Sequence, residues 1–230
     1  MGRAITLKLA SEGAQILALD IDAERLKETN DLAGGGLSTR VADVSDPAEC
    51  TSAVEACVGE FGKLDILGNI AGIARSEHVT DVTVEQYRRM MGVNIDGYFF
   101  LAQAAIPHLL ESEGNIVNIA SNAGLMGQAY TVVYCMTKGA VVQMTKSLAM
   151  EFIKTKLRVN AIAPAGTLTN LVLNFQMPDD VEGDLMMRYS GHRGLTEADE
   201  VAELFAYLAS DEAKSIHGAV ISIDNGVTAG

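Results

Sequence analysis

NIVNIASNAGLMGQAYTVVYCMTKGAVVQMTKSLAMEFIKTKLRVNAIAP, residues 115–164, decides how this chain folds. NIVNIAS (115–121) is a short apolar run of strand length. A helical segment follows from about 131 to 153. LRVNAIAP (157–164) then reads as a second strand, stopped by a proline that cannot continue a central ladder. Strands this apolar are buried on both faces, which is the condition of a parallel sheet covered by helices. The helix between them supplies the right-handed crossover that parallel neighbours need.

The same alternation extends in both directions. Upstream, a helix-like opening ends near Gly13, and QILALD (15–20) reads as a strand. A polar helix pattern covers 22–32, and a short run at 37–41 forms the next strand. A helix over 47–60 is punctuated by Asp46 as N-cap, Pro47 in the first turn and Glu49 three residues after the cap. Cys50, Val54, Cys57, Val58 and Phe61 recur on one face of it at the 3.6-residue period. LDILGNIAG (64–72) is a buried strand running into a glycine loop, and Thr83 with Gln86 spells a capping box for the helix leading to Asn94. Downstream, Thr196 is expected to cap a helix that aligns Val201, Leu204, Phe205 and Leu208, and AVISIDNG (219–226) closes as a strand. The predicted fold is α/β: a Rossmann-type doubly wound parallel sheet with helices on both faces, in a single domain. Ligands of such sheets bind at the carboxyl ends of the strands.

Composition narrows the function. The chain has 230 residues, 48% of them hydrophobic, which suffices for one well-buried core but not for two ordinary domains. Thirty acidic residues against 17 basic ones give a net charge of −13. Such a surface repels phosphate backbones and anionic lipid heads, so neither a nucleic-acid nor a membrane partner is expected. Arg3, Lys8 and Glu12 interrupt the opening where a signal peptide needs an apolar stretch, and YFFLAQAAIPHLL is too short to span a bilayer. Cys50, Cys57 and Cys135 form neither a CxxC pair nor an even disulfide set, which points to reduced thiols in the cytoplasm. His78, His108, His192 and His217 share no metal-ligand spacing, and no metal is expected.

The chemistry resides in YCMTK (134–138). Tyr134 and Lys138 stand four apart on a helix and so share a face. A free phenol titrates near 10, too high for proton transfer at neutral pH, whereas a neighbouring ammonium favours the phenolate. The pair could then exchange a proton with an alcohol or ketone oxygen. Such a spacing also arises by coincidence, and it gains meaning only in company. Ser121, at the carboxyl end of its strand, offers a hydroxyl to fix a substrate oxygen. Asn94, in VNIDG, places an amide inside a helical stretch, where it competes with the backbone. Taken singly, Ser121 reads equally as a loop hydroxyl and Asn94 as a kink or cap.

Together these residues resemble the short-chain dehydrogenase/reductase family. The resemblance runs through LALD, ADVSD, NIAG, VNIDG, NIVNIAS, YCMTK, VNAIAP and IDNG in order along the whole chain. It implies an NAD(P)-dependent enzyme interconverting a secondary alcohol and a ketone, with Tyr134 as general acid/base. Lys138 would lower the phenol pKa and bind the nicotinamide ribose, Ser121 would orient the substrate oxygen, and Asn94 would anchor a relay water. The resemblance further implies cofactor contacts from Asp43 and Val44 at the adenine, Asn69, Ala71 and Gly72 beneath the cofactor, and Pro164, Gly166, Thr167 and Thr169 beside the nicotinamide. Asp20, ending its strand, would accept bonds from the adenosine ribose and repel a 2′-phosphate, which favours NAD over NADP. Its bland counterpart is an aspartate capping the next helix.

Departures from the pattern are also legible. Ile70 stands where the family usually has a second Asn, Gly68 where a branched apolar residue is usual, and Ala165 where Gly is common. Of the family's opening strand and Gly-rich phosphate turn, only Met1-Gly2 has a counterpart. The expectation is therefore an N-terminally incomplete chain that binds NAD weakly, with the strands at 15–20 and 64–67 each lacking a ladder partner. That loss keeps open a second reading, a non-catalytic subunit of the same fold stabilised by assembly. Residues 165–195 match the family's substrate lid. Leu171, Leu173, Phe175, Met177, Met186 and Met187 there suit a small lipophilic alcohol or ketone, or else simply pack a connecting helix. The family's usual dimers or tetramers imply a homo-oligomer built on the helices at 95–112 and 131–153 and on the last strand.

Overall fold

The structure, a computed structural model, describes residues 1–229. Six strands, β1 (Leu17–Asp20), β2 (Ser38–Val41), β3 (Ile66–Asn69), β4 (Asn115–Ile119), β5 (Arg158–Pro164) and β6 (Val220–Ile223), are all paired in parallel. The helices are α1 (Gly2–Ser11), α2 (Ala23–Leu32), α3 (Pro47–Phe61), α4 (Val84–Met91), α5 (Gly97–Ser112), α6 (Val132–Glu151), α7 (Asn170–Leu173), α8 (Gly183–Ser190) and α9 (Ala198–Ala209). The strands form two ladders, β1-β2 and β3-β4-β5-β6. β1 and β3 thus each carry one hydrogen-bonded neighbour, and their burial reflects it. Every residue of β4 is buried, whereas none of β1 is fully buried.

Local signals act as the sequence suggests, with two differences. Asp46 caps α3 by accepting from the Ala48 N–H at 2.8 Å, but Glu49 does not close the box on it. Its carboxylate instead reaches the Asp43 N–H at 2.5 Å and fastens the turn after β2. Thr196 is not the cap of α9. Glu197 takes that place and its N–H donates to Glu200 at 2.8 Å. Thr196 is drawn into a parallel bridge with Thr167, because the segment after β5 needs a backbone partner there. The Thr83–Gln86 capping box forms.

Two larger hydrophobic clusters cover the sheet faces, and a smaller third one gathers Tyr98, Ala120, Val141, Val142, Ala161 and Ala163. Of the larger two, one unites Leu101, Ala105 and Leu109 of α5 with Cys50 and Val54 of α3 and Ile116 and Val159 of the strands. The other packs Val201, Phe205 and Leu208 of α9 with Ile5 of α1 against Val117, Ile119 and Ile162. The second core explains Gly68 and Ile70. A Cβ at Gly68 would lie 2.7 Å from Ile70 Cδ1 and 2.9 Å from Phe205 Cζ, so these two side chains already occupy its space.

Polar residues in the central strands serve as ties between layers. Asn69 Nδ2 donates to Asn118 Oδ1 at 3.0 Å, and Asn118 Nδ2 donates to Thr145 Oγ1 at 2.9 Å, linking β3, β4 and α6 through the interior. His217 is held between the Val159 N–H and the Ala149 carbonyl and is structural. Arg158 donates to the carbonyls of Leu208, Ser210 and Ala213 around the end of α9. In urea denaturation, Phe205→Ala (native ring 1% exposed) is expected to cost about 3–5 kcal/mol. Met150→Ala, at a side chain 69% exposed, should stay within about 0.5 kcal/mol of wild type.

Candidate active site

The expected site residues lie at the carboxyl ends of five strands and on two helices. Asp20 ends β1 and Asp43–Val44 follow β2, where the Ala42 N–H donates to the Asp20 carbonyl at 3.0 Å. Asn69 ends β3, with Ala71 and Gly72 just beyond it. Ser121 follows β4, and Pro164 ends β5 before Gly166, Thr167 and Thr169. Tyr134 and Lys138 occupy the first two turns of α6. The fold brings this set to one edge of the molecule, as strand ends in a parallel sheet dictate.

Asn94 sits in a π-helical turn, Gly92–Asp96, between α4 and α5. Such turns widen a helix by one residue and often mark functional positions. The Asn94 amide is wholly buried. Its Oδ1 accepts from the Ile73 N–H at 2.9 Å, and its Nδ2 donates to the Ile73 carbonyl at 2.8 Å and to Thr137 Oγ1 at 3.1 Å. The loop after β3 is thereby fastened to the turn of α6 that carries Lys138. Gly72 lies in this loop, and a Cβ there would stand 3.4 Å from Asn94 Oδ1 and 3.6 Å from Lys138 Nζ.

Lys138 is 3% exposed, an extreme value for an amine. Its Nζ donates to the Ile119 carbonyl at 2.7 Å and lies 5.9 Å from the centre of the Tyr134 ring. Burial penalises the ammonium and pulls the Lys138 pKa down to about 7. Burial also pushes the Tyr134 phenol above its ordinary value, with a bond from Ser121 counteracting. This differs from the expectation that Lys138 depresses the phenol: in the protein alone, desolvation drives both groups toward their neutral forms. Ser121 Oγ accepts from the Ala123 N–H at 3.1 Å and reaches the Pro164 carbonyl at 3.5 Å, joining the ends of β4 and β5.

The expected adenine side, Asp20 with Asp43 and Val44, is split in character. Asp20 Oδ1 accepts from the Asp22 N–H at 3.0 Å, leaving Oδ2 without a protein partner among the described residues. Asp22, not Asp20, caps α2. Asp43 is fully engaged: Oδ1 accepts from the Ser45 N–H and hydroxyl, and Oδ2 meets Arg89 at 2.8 Å. Burial opposes its ionisation, but Ser45 and the guanidinium outweigh that and hold the carboxyl below its usual range. Val44 packs on Gly97, where a Cβ would come within 2.9 Å of it.

The residues fit a dinucleotide on two observations. Gly72 leaves a gap against Asn94 and Lys138 that a side chain would fill, and Asn69 Oδ1 is buried with no hydrogen-bond partner. In addition, α1 starts without an acidic residue in its first turn or a side-chain cap. Thr167 and Thr169 are committed to the main chain, donating to Ala165 and Thr167 carbonyls at 3.1 Å, while Gly166 packs on Leu195. Sequence reasoning did not single out Arg89, Thr137, Tyr98 or Tyr130. Thr137 alone carried a signal, as the residue before Lys138.

Tyr130 holds a positive φ of 63° and forms part of a collar around the 165–195 segment. Its hydroxyl accepts from the Glu182 N–H at 3.0 Å, and its ring meets His78 edge-on at 5.2 Å. His78 in turn meets Asp180 at 2.8 Å, and Tyr189 donates to the Ala129 carbonyl at 3.0 Å.

The sequence profile of a family described as enoyl-(acyl carrier protein) reductase matches residues 1–228. Meso-2,3-butanediol dehydrogenase of Serratia marcescens is 34% identical over 230 residues, which span 100% of this chain and 90% of that protein. D-threitol dehydrogenase of Mycolicibacterium smegmatis is 34% identical over 99% of this chain and 88% of its own length. The crystal structure of 3-ketoacyl-(acyl-carrier-protein) reductase from Brucella melitensis, complexed with NADH, superposes with a TM-score of 0.90 at 31% identity, covering 99% of this chain and 93% of that one. Strand ends, buried lysine and whole-length similarity agree: the chain belongs to the short-chain dehydrogenase/reductase family.

Proposed function

We propose that the protein is an NAD-dependent oxidoreductase that interconverts a secondary alcohol and its ketone, with Tyr134 as the general acid/base. The observation that supports this best is the convergence of Asn94, Ser121, Tyr134 and Lys138 from α5's entry turn, β4 and α6 beside the side-chain-free Gly72. A bound nicotinamide would supply the hydride chemistry, taking hydride from the alcohol carbon or giving it to the ketone's carbonyl carbon. Tyr134 moves the proton at the substrate oxygen, and Ser121 orients that oxygen. Lys138, whose pKa burial pulls down to about 7, would hold the cofactor's ribose beside the phenol. Asn94 fixes the loop after β3 and keeps one Oδ1 lone pair for a relay water.

Asp20, with one oxygen free of protein donors, supports NAD over NADP, since a 2′-phosphate there would face a carboxylate. Ala71, Asn69, Asp43, Val44, Pro164, Gly166, Thr167 and Thr169 shape the remaining cofactor walls. Asn69 contributes its unpaired Oδ1, and Thr167 and Thr169 hold the loop's shape rather than offering free hydroxyls. The chain acts as one dinucleotide-binding and catalytic unit, with residues 165–195 as the substrate lid. Leu173 and Met187 of the lid are exposed, which favours a lipophilic substrate surface over internal packing. Exposed Phe99 on α5, Met136 and Met150 on α6 and Ile153 just beyond it support assembly into dimers or tetramers, and three free thiols support a cytoplasmic location. One observation favours the alternative, a non-catalytic subunit: β1 and β3 each have a single ladder, on the side where the cofactor's phosphates would lie.

Absorbance of reduced nicotinamide across a panel of alcohols separates the two readings. Tyr134→Phe is expected to lower kcat by at least about a thousandfold while calorimetric NAD affinity changes little, and retained turnover would remove the assigned role. Asp20→Ser should raise the NADP-to-NAD preference about tenfold or more in kcat/KM. The lid should respond to pH through His78. The bond to Asp180 raises the imidazole pKa, against burial and with further help from the charges of Asp180 and Asp81. The charged pair is thus complete below that raised pKa and lost as pH rises through it. Intrinsic-rate-corrected hydrogen exchange over residues 177–190 is therefore expected to quicken as pH rises past the ordinary imidazole pKa of about 6.5, and His78→Ala should remove that step.

A further inference from the structure

The largest of the fully buried side chains is a phenol outside the YCMTK motif. Tyr98, in the first turn of α5, is 1% exposed. A phenylalanine would fill the same volume without burying a hydroxyl, so the oxygen needs an account. Tyr98 Oη donates to the Ile119 carbonyl at 3.1 Å and accepts from Lys138 Nζ at 3.4 Å. Nζ also stands 5.2 Å from the centre of the Tyr98 ring, within cation–π range. Ile119 O, Tyr98 Oη and Lys138 Nζ therefore form a closed triangle, because Nζ donates to that same carbonyl at 2.7 Å.

We propose that Tyr98 is a positioning residue for Lys138: its oxygen and ring face hold the amine in one place and favour its protonated form. The proposal rests on the reading of Lys138 as half of the catalytic pair. An ammonium has three donors. Two are directed to Ile119 O and Tyr98 Oη, which leaves one for the gap over Gly72, where a Cβ would be 3.6 Å away. Tyr98 suits this task because it does not titrate itself. Burial, then the proximity of Tyr134, pushes its pKa far above the ordinary phenol value. It stays a neutral dipole with its proton on the carbonyl and a lone pair toward the amine. A hydrogen bond to the charged form of Lys138 opposes the burial that would otherwise neutralise it.

The test is the titration of Lys138 in the protein without substrate. Side-chain carbon chemical shifts of ¹³C-labelled lysine, assigned with Lys138→Arg, report its midpoint directly. Tyr98→Phe keeps the ring and deletes the acceptor, and it is expected to lower the midpoint by about half a pH unit or more. Site-specific 3-fluorotyrosine at position 98 weakens the same acceptor without altering the packing, and should shift the midpoint in the same direction by less. In turnover, Tyr98→Phe should displace the pH–kcat profile while KM for the alcohol holds, an effect a purely structural role would not produce. Unchanged midpoints in both altered proteins would overturn the proposal even if the wild type is an active dehydrogenase. A shifted midpoint in a protein without turnover would uphold it and sink the catalytic reading instead.

Discussion

An amine taken almost wholly out of water is the constraint around which this molecule is arranged. Lys138 keeps its Nζ only 2.7 Å from the Ile119 carbonyl, at the end of a strand whose every residue is buried. Such a group is tolerated only where acceptors surround it. The surroundings follow from that need: a strand-end carbonyl, a buried phenol, and a loop with no side chain at Gly72. The neighbouring π-turn places Asn94 so that its amide clamps that loop to Thr137, one residue before the lysine. The proposed chemistry and the packing therefore share the same few atoms. Burial shifts the titration of Lys138 to the neutral range, where a proton can be gained or lost at little cost.

The remainder of the fold carries these groups to one edge. Parallel strands begin and end together, so residues as far apart in the chain as Asp20 and Thr169 gather at their carboxyl ends. Buried asparagines lock the layers in place. Asn69 reaches Asn118, Asn118 reaches Thr145, and Asn160 spans to the Ile216 carbonyl and the Ala219 N–H. The sheet is less complete on the other side. β1 and β3 belong to separate ladders, and β1 buries none of its residues fully, in keeping with a strand paired along one side.

Much of this was legible from local patterns. Apolar runs of strand length, the Asp46-Pro47 start, the Thr83–Gln86 box and the alternation of periods are short-range effects, and each lies where the residues indicate. The lapses were also local rules overridden by tertiary needs. Thr196 has the chemistry of an N-cap, yet its backbone is claimed by Thr167, and Glu197 caps α9 instead. Glu49 has capping-box spacing, yet the Asp43 N–H offers it a better partner. The unusual Gly68 and Ile70 make sense only as a pair with Phe205, which lies 137 residues away in the chain.

The sequence by itself determined the class of fold, and it set the proposed proton-transfer pair, Tyr134 and Lys138, one turn apart on a helix. Helical period and strand length are set by residues a few positions apart, and the resemblance of motifs in order supplied the rest. Only the tertiary structure decided which groups surround that pair: Tyr98 on Lys138, Arg89 on Asp43, and His78 on Asp180. The direction of the Tyr134 shift was likewise its decision. The reason is physical. Desolvation and long-range hydrogen bonds depend on which elements the crossovers bring side by side, and no local spacing records that.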